Sequence, residues 1–145
     1  MPLSEQEAIN YQNYYANTAT AMPASPGANL FIALFTDDPT PDMTLNELVD
    51  TVDGYSRIAI TLIPSTSANV ETLENEFPLV WPAATGTNAD DLTYFGIYDA
   101  VTAGNPIFYG MLSAPILWTS GASVAIAQGM LTLDIYKETS TCTFP

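Results

Sequence analysis

Short runs of apolar, β-branched and aromatic residues recur along this chain, and each is closed within a few residues by Gly, Pro, Asn or Ser. They are LFIALF (30–35), YSRIAITLI (55–63), a short run around Val70 to Leu73, FPLVW (77–81), LTYFGIYD (92–99), NPIFYGML (105–112), ILWT (116–119), SVAIA (123–127) and MLTLDIYK (130–137). Runs this short, bounded by turn residues, bury themselves as strands, because an amphipathic helix needs a longer stretch with a 3.6-residue period. About nine strands spaced roughly ten residues apart predict an all-β, antiparallel β-sandwich of jelly-roll-like type.

The strands differ in what they imply. LFIALF is continuously apolar, as expected of a strand buried on both faces or at an interface. YSRIAITLI alternates, with Ile58, Ile60 and Leu62 on one face and Arg57, Ala59 and Thr61 on the other. DAVTAGNP (99–106) reads as a hairpin loop that would make residues 92–112 an antiparallel pair, and TSGAS and AQG would turn the next two hairpins.

The first 28 residues have a different pattern. Ser4 and Glu7 have the spacing of a capping box, which predicts a helix over roughly residues 5–16, and Pro23, Pro26 and Gly27 then break a run of small residues. The apolar face of that helix is thin, carried by Ile9 and Tyr15 with Tyr11 and Tyr14 beside them, which suits a docking arm. The expected organisation is an N-terminal helix and extended arm, 1–28, and one β-sandwich domain, 29–145. Thr44 and Glu47 repeat the capping-box spacing and predict one or two helical turns in the connection that ends at Gly54.

Composition excludes several functions. Sixteen acidic residues stand against two basic ones, Arg57 and Lys137, giving a formal net charge of -14. Binding to a phosphate backbone draws its affinity from Lys and Arg, so nucleic acid and anionic membrane surfaces are not expected partners. Histidine is absent, which removes imidazole-based triads and His-containing zinc sites. Cys142 is a lone thiol that can form no intrachain disulfide, and no charged leader precedes an apolar run. The expectation is a protein made in a reducing cytoplasm without export, with no catalytic residues, cofactor, metal or small-molecule substrate.

Three constellations compete with that bland reading. Asp99 and Asp134 could pair as glycosidase carboxylates, although Asp99 reads more simply as a turn-opening residue. Asp37, Asp38 and Asp42 share one loop, and Asp90 and Asp91 another, but neither has EF-hand spacing. Tyr94, Phe95, Tyr98, Phe108, Tyr109 and Trp118 could line a sugar-binding face, although core and cross-strand pairing accounts for them more simply, since they fall in adjacent strands. Arg57 either pairs with an acid of another subunit or forks to a carboxylate or carbonyls of its own chain.

The order of motifs is informative. LFIALFTDDPT, LNELVDTVDGYSRIAI, VWPAATGTNADDLTYFGIYDAVTAGNPIFYGML and SGASVAIAQGMLTLDI together resemble a family of small structural proteins of tailed bacteriophages, labelled head decoration (cement), tail-fibre or minor tail proteins. The resemblance covers residues 29–136. It is carried by Gly54-Tyr55-x-Arg57, by Pro82-Ala83 leading to Phe95-Gly96-Ile97-Tyr98-Asp99, and by Gly129-x-Leu131. It implies a non-enzymatic virion part. The first expectation is a homotrimeric capsid decoration protein on the outer capsid surface, with the major capsid protein and itself as partners. The alternatives are a tail-fibre or tail-tip protein and a carbohydrate-binding module. Expected contact residues are Ile9, Tyr11, Tyr14 and Tyr15 in the arm, Asp37, Asp38, Leu45 and Leu48 in the connection, and Arg57.

Overall fold

Strand β1, Leu30–Phe35, lies inside the largest sheet and is buried on both faces, which is why its sequence is apolar without alternation. The computed structural model describes residues 29–40, 42–48, 54–65, 72–86 and 90–134. Along the chain follow β2 (Ile58–Ile60), β3 (Leu62–Pro64), β4 (Thr72–Asn75), β5 (Leu79–Trp81), β6 (Asp90–Tyr98), β7 (Pro106–Trp118), β8 (Val124–Ile126) and β9 (Thr132–Asp134). They form a four-stranded sheet β2-β1-β6-β7, a three-stranded sheet β3-β4-β9 and a two-stranded sheet β5-β8. Every pair of strands is antiparallel, so the all-β, antiparallel expectation holds.

The predicted strand 55–63 is split at Thr61. Before it β2 pairs with β1, and after it β3 pairs with β4, so one stretch of chain passes from the first sheet to the second. This corner lets the three sheets enclose one core: Ile32, Leu34 and Ile97 from the first, Leu133 from the second, and Trp81 and Val124 from the third. The opposite face of the first sheet buries a smaller cluster, Ala33, Phe35, Tyr98 and Met43, the last supplied by the connection after β1.

The hairpins expected at TSGAS and AQG are not formed, because β8 pairs with β5 and β9 with β4, and two further sequence expectations are corrected. The helical turns predicted after Thr44 are not formed in the described part of that connection, residues 44–48. There β2 covers only Leu30–Ile32 of β1, leaving the far end of that edge open, and the connection fills it. Glu47 bridges Phe35, the Thr36 amide donates to the Asn46 carbonyl (3.0 Å), and the Leu48 amide donates to that of Leu34 (3.1 Å). Met43 and Asn46 take left-handed backbone angles, φ 53° and 64°, which no helix contains. The second correction joins NPIFYGML and ILWT into the single strand β7. Its register against β6 jumps from Tyr94↔Met111 to Leu92↔Ile116, so 112–115 form a wide bulge opposite Thr93. Pro115 falls in that bulge, where its missing amide disrupts no ladder bond.

The predicted helix at 5–16, with Ile9, Tyr11, Tyr14 and Tyr15, lies outside the described residues. No helix among those described is long and apolar enough to cross a membrane.

Candidate functional site: the Arg57 cluster and the outer surfaces

Gly54, at φ 81°, turns the chain so that the next residues face the end of β1. Tyr55 enters the core there and meets Trp118 edge-on, ring centroids 6.1 Å apart at 70°. Its hydroxyl accepts the Leu34 amide (3.0 Å) and donates to Glu47 Oε1 (3.2 Å), satisfying a buried β1 amide that no strand reaches. Burial, with the Glu47 carboxylate alongside, pushes this hydroxyl far above the usual phenol range.

Arg57 completes the cluster. Nε and Nη2 donate to Glu47 Oε1 and Oε2, both at 2.7 Å, in a bidentate fork. Nη1 donates to the carbonyls of Ala100 (3.1 Å) and Ala103 (2.7 Å) in the β6–β7 hairpin loop. The guanidinium carbon sits 3.4 Å from the centroid of the Tyr98 ring. Burial works against the charge of Arg57, but the fork to Glu47 outweighs it and holds the group's pKa above its ordinary value. Tyr98 donates to the Met43 carbonyl (2.8 Å), and burial followed by the nearby Glu47 charge pushes its hydroxyl up to about 12.

Arg57 therefore ties together three pieces of backbone: the connection after β1, the approach to β2 and the β6–β7 loop. Of the two readings the sequence allows, the geometry is that of the fork within the chain. The loop it holds is shaped by Asp99, whose Oδ1 accepts the Asn105 amide (2.6 Å) and whose Oδ2 accepts Asn105 Nδ2 (2.7 Å). Asp99 is thus a turn-forming residue at the end of β6, whereas Asp134 ends β9 in another sheet.

The acidic loop after β1 is likewise tied to its own chain. Asp37 Oδ1 accepts the Asp38 amide (2.8 Å), and Asp38 Oδ1 accepts the Thr40 amide (2.9 Å). The Thr40 hydroxyl donates to Asp42, and this bond, with a second from Thr44, holds the Asp42 carboxyl below its usual range. Among the described residues no group of three or more His, Cys, Asp or Glu is placed to hold a metal ion.

The expected contact residues separate. Asp37, Asp38 and Leu45 are exposed, and Leu45 leaves 53% of its surface open. Leu48 is buried in the main core and Arg57 is held inside the chain, so neither presents its side chain at the surface of this subunit. Three residues have structural roles that their sequence context does not announce. Glu47 has helix-cap spacing but takes the Arg57 fork instead. Asn75, fully buried, accepts the Leu131 amide (3.0 Å) and donates to the carbonyls of Phe77 (2.8 Å) and Ala127 (3.0 Å). Gly96 leaves the space that Met43 occupies: a Cβ there would lie 2.3 Å from Met43 Cε and 2.8 Å from Phe35 Cε2.

Of the residues that carried the phage resemblance, Gly54, Tyr55, Arg57, Tyr98 and Asp99 shape or join the cluster around Glu47, Gly96 makes room for Met43 beside it, and Gly129 and Leu131 lie elsewhere, at the turn next to Glu74 and Asn75. A family model described as Podophage GP4 fiber I protein gp80 matches residues 5–134. No curated protein matches the sequence. The family match spans the described domain and most of the N-terminal segment, and the chain belongs to this family of tailed-phage structural proteins.

Proposed function

We propose that the chain is a non-enzymatic structural component of a fibre or tail appendage in a tailed-phage virion, working by holding neighbouring virion proteins. The observation that carries this reading is the family match over residues 5–134, to a family described as a fibre protein. That description favours the fibre over the head-decoration expectation, although a compact β-domain with exposed acidic loops would serve either. The chemistry of the domain supports a holding role. Arg57, Tyr98 and Asp99, the residues best suited to binding or catalysis, are engaged in fixing backbone. Partners in this reading are adjacent fibre subunits and copies of the chain itself.

The test is electron microscopy of purified virions labelled with a gold-conjugated antibody against this chain. Label confined to the tail appendages supports the proposal. Label spread over the head surface overturns it in favour of decoration.

A further inference from the structure

The Arg57 cluster has a counterpart without a cation on the same face of the first sheet. Residues 94, 96 and 98 of β6 share that face, and the register with β7 sets Tyr109 opposite Gly96 and Met111 opposite Tyr94. Tyr94 and Tyr109 pack against the buried patch of Ala33, Phe35, Met43 and Tyr98 and remain half-exposed. Asp38 approaches them from the acidic loop after β1, because Phe35 at the end of β1 pairs with Tyr94. Burial first, and then the Asp38 charge, push the Tyr109 hydroxyl above its usual range, which sets this carboxylate beside that side chain. Asp38 Oδ1 accepts the Thr40 amide, while Oδ2 and the Tyr109 hydroxyl have no hydrogen-bond partner among the described residues.

A tyrosine ring with a carboxylate beside it is the pair of groups that holds Arg57. There the guanidinium carbon lies 3.4 Å from the Tyr98 centroid while Nε and Nη2 fork to Glu47, both at 2.7 Å. At Tyr109 and Asp38 no described residue supplies the cation. The chain has two basic residues; Arg57 is committed to Glu47, and Lys137 lies outside the described residues. A net charge of -14 concentrates cationic groups around the molecule and does nothing to draw neutral ones such as sugars. Among cationic side chains, a planar guanidinium can stack on a ring and hydrogen-bond to a carboxylate at once, which an ammonium does less well. We propose that an arginine of a partner protein docks here, its guanidinium stacked on the Tyr109 ring and bonded to the Asp38 carboxylate, as Arg57 is held by Tyr98 and Glu47. Tyr94 and Met111 flank the site and cover the arginine stem.

The test is an NMR titration of the isotope-labelled full chain with a capped Gly-Arg-Gly peptide and with its neutral citrulline counterpart. The arginine peptide should move the amides of Asp38, Tyr94 and Tyr109, less so at high salt, and the citrulline peptide should move none. Asp38→Asn keeps the Oδ1 acceptor for the Thr40 amide and removes the charge, so it should weaken binding about fivefold. Tyr109→Leu keeps an apolar side chain on the sheet and should weaken binding about threefold. Glu76→Gln, a matching charge loss just beyond β4, should leave it unchanged. Equal shifts from the two peptides, or a loss as large in Glu76→Gln as in Asp38→Asn, would reduce the effect to diffuse charge attraction and overturn the inference. A maltodextrin that moves these amides when the arginine peptide does not would make this a sugar site and overturn it too. So would a wild type that binds nothing, and binding gained only in Lys137→Ala would give the site to the chain's own lysine. None of these results depends on where the protein sits in the virion, so the fibre reading stands or falls separately.

Discussion

Arg57 sits over the ring of Tyr98, its guanidinium carbon 3.4 Å from the ring centroid, while its fork grips Glu47 on the other element packed against the same sheet. The arrangement places a cation, a carboxylate and a phenol where little water reaches, with 10% of the Arg57 side chain and 23% of the Glu47 side chain exposed. A pair this enclosed adds little net stability over an apolar substitute, but removing one partner strands the other. Its value is in specifying where the connection and the hairpin loop lie.

Truncating Arg57→Ala should therefore destabilise the domain by about 3 kcal/mol. Arg57→Lys should recover only part of this, because an ammonium cannot reproduce the two-pronged contact and the two carbonyl bonds together. Urea unfolding followed by fluorescence of the buried Trp81 and Trp118 measures both. Adding Glu47→Gln to Arg57→Ala should cost less than the sum of the single changes, which a double-mutant cycle reads directly.

Gly96→Ala inserts a methyl where Met43 and Phe35 already lie, so it should cost about 1–3 kcal/mol of stability. Shortening the obstructing side chain should relieve part of the clash. Met43→Ala combined with Gly96→Ala is expected to be less destabilising than additivity predicts, and strict additivity in the same unfolding assay would contradict the assigned contact.

Asn75→Ala leaves the Leu131 amide and the carbonyls of Phe77 and Ala127 without the partners they have now, at a position fully closed to water. A loss of about 3 kcal/mol or more is expected, since each stranded buried group carries its own desolvation penalty. Asn75→Asp should not rescue it, because a carboxylate cannot donate to the two carbonyls. Amide hydrogen exchange should show the loss of protection concentrated at Leu131 and its neighbours.

Stability should also fall at high pH. Tyr98 titrates from an ordinary value of 10.0 in the unfolded chain and about 12 in the fold, and Tyr55 is shifted in the same direction. A raised folded-state pKa contributes stability that is fully present below the unfolded value and is lost as pH rises through the folded one. The urea midpoint should therefore decline between pH 10 and 12, and Tyr98→Phe should make that decline shallower even though it also removes the bond to Met43.

Much of the β architecture was legible because strand burial leaves a local signature. The unbroken apolar run of β1 marks burial on both faces, and the breakers at 99–106 mark a real hairpin between β6 and β7, whereas those at 119–123 turn the chain from one sheet to another, with Gly104 and Gly121 both at φ 75°. The misreadings share one cause: a local pattern was outcompeted by a distant partner. Thr44 and Glu47 have helix-cap spacing, yet Glu47 gains more from Arg57, ten residues away, and from the open edge of β1. Pro115 and its small neighbours look like a loop, yet the ladder to β6 resumes beyond them at Ile116. Asn75 lies in the polar-looking run TLEN, and its burial depends on Leu131 and Ala127, more than fifty residues downstream.

In the proposed role, this domain is a building part of the tail appendage, with its distinctive residues devoted to holding shape. The most direct measurement is the number of copies per particle, by quantitative mass spectrometry of purified virions separated into heads and tails. Recovery in the tail fraction at a handful to a few dozen copies is the expected result. Hundreds of copies travelling with the heads would contradict it.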